Sequence, residues 1–105
     1  GDETGRTLIF DEVDSGVGGA VAAAVGERLA RLGQTTQTLV VTHSPQVASK
    51  GDQHMKIAQT TTNRGVISGT EPLDDSARTE EIARMLAGEE ITAEARAAAL
   101  ALREG

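Results

Sequence analysis

Two short apolar runs bracket an amphipathic stretch near the start of the chain, and that arrangement leaves few folds open. The first, Thr7–Phe10, reads Thr-Leu-Ile-Phe and stops at Asp11-Glu12. The second, Gln37–Thr42, centres on Leu39-Val40-Val41 and stops at His43. Between them Val21, Val25, Leu29 and Leu32 recur on one face of a helix over Ala20–Leu32, which Gly33 ends. Strand, helix, strand at these lengths is a βαβ unit whose two strands run parallel. The uninterrupted apolar character of each run predicts strands buried on both faces, with Asp11-Glu12 buried at the strand end. Parallel strands bring their carboxyl ends to one edge of the sheet. Asp11, Glu12 and His43 therefore share the edge at which open α/β folds place ligands.

The rest of the chain reads as smaller pieces added to this unit. Asp14–Gly19 is a turn carrying Gly16, Gly18 and Gly19. Ser44 caps one or two helical turns to Ser49, with Pro45 at the first position. Met55–Gln59 and Val66–Thr70 flank a Thr60–Gly65 turn segment, which predicts a β-hairpin that Pro72 ends. Asp74 or Asp75 opens a helix to Ala87, with Ile82, Met85 and Leu86 on its apolar face and Gly88 as its stop. Thr92 caps a last, Ala-rich helix to about Arg103. The expected fold is α/β: a parallel βαβ core plus a β-hairpin and C-terminal helices. Glu80, Glu81 and Arg84 are expected on a solvated helix face, and His54 on a solvated strand start. Residues 1–6 are polar and lack an initiator Met, so they are expected to be a flexible segment or an artificial boundary, and the chain a piece of a longer one.

Composition removes several functions. The 105 residues fit one domain or part of one, and Phe10 is the one aromatic. A core of Ala, Val, Leu and Ile packs thinly, which predicts modest stability or a missing segment that completes it. No apolar run approaches the roughly 18 residues of a membrane span, and without a basic start followed by an apolar stretch no secretory leader is expected. The absence of cysteine excludes a disulfide framework and a thiolate metal site, and makes the cytoplasm the natural compartment. A net charge of −6 argues against this segment itself gripping a phosphate backbone, and a single aromatic offers no platform for base stacking.

Three stretches carry chemistry. Leu8-Ile9-Phe10-Asp11-Glu12 has the Walker B pattern of phosphate-loop ATPases. The strand carries Asp11 to the sheet edge, where it can hold Mg²⁺, and Mg²⁺ accepts one or two carboxylates beside water and phosphate. Glu12 can then polarise an attacking water. Val13–Gly19 is a Gly-rich loop around Asp14, but it is no phosphate cradle. The Gly-x-x-x-x-Gly-Lys-Ser/Thr form is absent, and neither Lys50 nor Lys56 is followed by Ser or Thr. Val40-Val41-Thr42-His43-Ser44-Pro45-Gln46 sets a histidine directly after a strand, where it can hydrogen-bond a terminal phosphate and the attacking water. A lone histidine there is more often structural, and His43 and His54 are not spaced as a metal pair.

Taken in order, these stretches resemble the second half of an ABC-type ATPase head. More closely, Thr7–Gly19 resembles the Walker B and D-loop stretch of the RecN family, SMC-like ATPases of bacterial DNA repair. Val40–Ala48 is similar to that family's His loop, and Glu71-Pro72-Leu73-Asp74 and Glu80–Gly88 to its C-terminal tail. The tail is the specific part, because the other two motifs are shared across ABC ATPases. The resemblance implies that residues 7–105 are the C-terminal lobe of an ATPase head that binds ATP and Mg²⁺. Asp11 would hold the metal and Glu12 would be the catalytic glutamate. Asp14 would be the loop acid that meets the opposing subunit, and His43 would sense the γ-phosphate. The implied partners are a second head in a homodimer and the N-terminal half of the same chain. DNA would be reached through the full-length protein, at the cytoplasmic nucleoid, during recombinational repair of double-strand breaks. The sequence lacks a Walker A loop, a Gln loop, a Ser-Gly-Gly signature and a coiled coil, so the isolated chain is expected to be inactive. A second reading makes Asp11, Glu12 and Asp14 the ligands of a metal-dependent phosphoesterase or nuclease. A third is a non-catalytic interaction domain that packs through its last helix.

Overall fold

The parallel pairing that the crossover demands is present. In the computed structural model, strands β1 (Thr7–Asp11) and β2 (Gln37–Val41) run side by side, Thr7 opposite Gln37 and Asp11 opposite Val41. Helix α1 (Gly19–Gly33) connects them. The structure describes residues 6–104, so the first five positions of the leading segment expected to be flexible lie outside the described residues. After β2 come a short helix α2 (Pro45–Ala48), the hairpin strands β3 (Met55–Thr62) and β4 (Gly65–Pro72), and helices α3 (Asp75–Ala87) and α4 (Ala93–Glu104). The α/β class and its three parts are as expected, and the hairpin runs longer than its apolar residues indicate.

The expectation of strands buried on both faces is overturned. Ile9 and Leu39 are register partners, and they are 68% and 43% exposed. Their neighbours Leu8, Phe10, Thr38 and Val40 are half-buried. One crossover helix covers one face of a sheet, and the apolar run records no more than that both faces suit burial. The helix face also differs. Val21 is 54% exposed, while the buried residues of α1 are Ala22 and Gly26. A methyl group on Gly26 would lie 3.1 Å from the Gln46 carbonyl oxygen and 3.2 Å from the Val47 Cα. The closest packing of α1 is thus backbone to backbone with α2, made by small residues that a search for bulky periodicity passes over.

The C-terminal helices hold the densest core: Ile82, Ala83 and Ala99 are fully buried and Ala95 nearly so, with Ile91 and Leu102 packed against them. Their ends are set as the sequence predicts. The Asp74 carboxylate accepts from Ala77 N–H at 2.8 Å, and the Thr92 hydroxyl accepts from Ala95 N–H at 3.1 Å. Gly88 ends α3 at φ +83°, where a side chain would be strained.

Of the three charged residues expected on a solvated face, Glu80 and Arg84 keep side chains 45% and 48% exposed, and Glu81 is buried. Glu81 is 9% exposed, pairs with Arg84, and takes Lys56 of the hairpin at 3.3 Å. Glu80 reaches Arg96 of α4 at 2.8 Å. Arg78 is 8% exposed, and its Nη2 donates to the carbonyls of Ala48 (3.1 Å), Ser49 (3.4 Å) and Gly51. Gly51 N–H reaches the Ala48 carbonyl at 3.4 Å, and Arg78 adds the donor that the carbonyls of this turn need. His54, expected in solvent, is half-buried, and its Nδ1 is buried without a partner. Burial, followed by the nearby charge of Arg78, lowers its pKa from the ordinary histidine value.

Candidate functional site

β1 and β2 end side by side, so the residues that follow them meet. Glu12 N–H donates to the Val41 carbonyl at 2.8 Å, one step beyond the ladder. At this point Glu12 takes a left-handed backbone, φ +52°, which a residue with a Cβ enters at a cost of about 1–2 kcal/mol. The turn breaks the strand's alternation and brings the Glu12 carboxylate to the end of β2. Ser15 N–H then donates to the Glu12 carbonyl at 3.0 Å, and Gly16 follows at φ +81°.

His43, immediately beyond β2, contacts the Glu12 carboxylate: its Nδ1 bonds Oε1. A carboxylate only accepts, so the Nδ1 of this pair carries the proton. The His43 side chain is 89% exposed and that of Glu12 44%, which leaves both open to a ligand. Asp11 is exposed beside them at the strand end. Burial of Asp11 and Glu12 was expected, and the correction follows from the sheet: two strands alone leave their ends open to solvent.

Asp14 is placed differently. It is 7% exposed and accepts the Thr42 hydroxyl at 2.5 Å. The same Thr42 oxygen accepts Ser44 N–H at 2.9 Å. Ser44 in turn caps α2 by accepting Val47 N–H at 3.4 Å. The structure therefore brings Glu12 and His43 together directly and ties Asp14 to the same loop through Thr42. Sequence reasoning gave Thr42 no role; the signal for it was a hydroxyl at the end of an apolar strand, next to the histidine.

The donor set suits a magnesium ion. Among the described residues no group of three or more His, Asp or Glu side chains gathers as a metal cage. Mg²⁺ needs no such cage, because it takes one or two carboxylates and completes its shell with water and phosphate. A two-metal nuclease instead needs carboxylates clustered around ions roughly 4 Å apart. The commitment of Asp14 to Thr42 counts against that second reading.

Known proteins resemble both the sequence and the fold. DNA repair protein RecN of Xylella fastidiosa (strain Temecula1) is 50% identical over 92% of this chain. The RecN of Streptomyces coelicolor is 46% identical over 93% of it, and that of Mycobacterium tuberculosis 50% over 80%. The chain spans 17% of the Xylella and Streptomyces relatives and 14% of the Mycobacterium one. No family model matches the chain. A solved structure from work on ATP-driven dimerization and DNA-stimulated activation of SMC ATPases superposes with a TM-score of 0.64. It is 15% identical, and the match covers 84% of this chain and 52% of that one. The chain is thus RecN-like in sequence over most of its length and shares its fold with part of that solved structure.

Proposed function

We propose that this RecN-like chain is the lobe of an ATPase head that carries the Walker B strand, the D loop and the His loop, and that it serves ATP hydrolysis in DNA repair. The observation that carries the reading is the contact between Glu12 and His43 at the ends of two parallel strands, both side chains open to solvent. ATP would lie against this edge, with a second head closing over it. DNA would be held by other parts of the full-length protein, in keeping with the net charge of −6 here.

The chemistry follows from the residues. Asp11, exposed at the end of β1, would hold Mg²⁺, which supplies charge neutralisation at the phosphates. The Glu12 carboxylate accepts a hydrogen bond from water and aims its oxygen at the γ-phosphorus. The new P–O bond forms as the bond to the β-phosphate oxygen breaks, ADP leaves, and the water's proton passes to Glu12 or to the phosphate. His43 keeps its Nδ1–H on Glu12 and, in the imidazolium form, donates from Nε2–H to the terminal phosphate. Phosphoryl transfer needs little more than such positioning and charge stabilisation.

The test is Glu12→Gln in the full-length protein. ATP binding should persist while turnover falls by about a hundredfold or more, as for loss of a positioned base. Unaltered hydrolysis would remove Glu12 from the mechanism. A companion titration of Mg·ATP into the 105-residue chain alone should show no binding, because the sequence contains no Walker A loop.

A further inference from the structure

The two loops of the site are joined twice. The first link is Glu12 to His43. The second is deeper: the Thr42 hydroxyl donates to the Asp14 carboxylate at 2.5 Å and accepts Ser44 N–H at 2.9 Å. A hydroxyl has one proton and two lone pairs, so giving the proton to Asp14 aims a lone pair at the amide of Ser44. These bonds lie immediately before and after His43 in the chain. On the other side, Asp14 follows Glu12 by two residues, within the turn that Ser15 N–H closes on the Glu12 carbonyl at 3.0 Å. Glu12, Asp14, Thr42 and His43 thus form a closed ring, half covalent and half hydrogen-bonded.

Thr42 is half-buried, and the burial of the other three differs in a telling way. Asp14 is 7% exposed, whereas the Glu12 and His43 side chains are 44% and 89% exposed. A buried carboxylate is costly unless donors reach it, so the Asp14–Thr42 link is hard to break locally. An exposed histidine has many rotamers and little packing to choose among them. The buried link fixes the backbone on both flanks of that exposed ring.

We propose that Asp14 and Thr42 are positioning residues, which hold the His43 loop against the Glu12 turn and so set the geometry of the Glu12–His43 pair. Asp14 then acts inside its own chain, as an acceptor, and does not need to reach another subunit with its charge. This inference rests on the ATPase reading of the site.

The experiment uses the full-length protein, with turnover counted per nucleotide-occupied site so that misfolded molecules drop out. Thr42→Val keeps the shape and loses the hydroxyl; it should lower kcat by about 10-fold or more with KM for ATP within about twofold. Thr42→Ser restores the hydroxyl and should recover turnover to within about threefold of the parent. Asp14→Asn keeps an acceptor without charge, and should retain clearly more turnover than Asp14→Ala. The proposal is overturned if Thr42→Val matches the parent, if Val and Ser at this position fall together, or if Asn at position 14 is as damaging as Ala. The last result would mean that the charge itself is used. A parent protein without ATP turnover would refute the ATPase reading instead. The ring is then read by amide hydrogen exchange: Ser44 should exchange about 10-fold faster in Thr42→Val and not in Thr42→Ser, and equal rates in both would refute it.

Discussion

Replacing Arg78 by Met should cost about 3 kcal/mol of folding stability, and the structure shows why. The guanidinium is 8% exposed, and one nitrogen, Nη2, serves the carbonyls of Ala48, Ser49 and Gly51. That nitrogen carries two protons, so two full hydrogen bonds are shared among three acceptors. Hydrogen bonds from a charged donor contribute roughly 1.5–3 kcal/mol each. Burial opposes them, and it lowers the pKa of Arg78, with the charge of Arg103 adding to the same effect. Met matches the aliphatic stem and supplies no donor, so the Ser49 and Gly51 carbonyls lose the Arg78 bonds and Ala48 keeps only Gly51 N–H at 3.4 Å. A loss of about 3 kcal/mol is a large part of the roughly 5–15 kcal/mol by which a domain of this size is stable. Urea unfolding followed by circular dichroism measures it, with Arg78→Lys as a companion that keeps the charge but not the forked geometry, expected between parent and Met. If Arg78→Met lies within about 0.5 kcal/mol of the parent, the bonds merely offset the burial of the charge, and α2 is not anchored by them.

Gly26→Val should destabilise by about 2 kcal/mol, because its side chain meets the backbone of Gln46 and Val47; Gly33→Ala, in open space, should stabilise by up to about 1 kcal/mol, and equal signs would refute the packing argument. Glu12→Gly should raise the melting temperature, since glycine takes φ +52° without the roughly 1–2 kcal/mol borne by Glu12, even though the site loses its carboxylate. The hydrogen bond from Arg84, reinforced by Lys56 and opposed by burial, holds the Glu81 carboxyl below its usual value. Its stabilisation is therefore complete above about pH 4.3 and disappears as pH falls through the lower folded value, a loss that Glu81→Gln should remove from the acid limb. The same sense applies to His54, in a higher pH window. Burial and Arg78 keep it neutral in the fold while the unfolded chain takes up a proton below about pH 6.5, so stability should decline below that pH and His54→Gln should flatten the decline.

Much of this molecule is written locally. The strand runs at Thr7–Phe10 and Leu39–Val41, the cap residues Ser44, Asp74 and Thr92, and the stop at Gly88 each act within a few residues of their own backbone. They are legible because the forces that set them are short in sequence. Parallel pairing followed from them, and with it the meeting of Glu12 and His43, since a βαβ connection leaves one arrangement of strand ends. The sequence could not say which of its polar groups would be buried. Asp14, Arg78, Glu81 and His54 have ordinary loop or surface neighbours along the chain, and only tertiary packing sets Thr42, the carbonyls after α2, or Lys56 against them. Nor could an apolar run tell how many of its faces a neighbour covers, which is why Ile9 and Leu39 stand open. Propensity and periodicity are properties of neighbours in sequence, whereas the burial of a charge depends on donors that arrive from about 30 residues away, as the Arg78 guanidinium does for the carbonyl of Ala48.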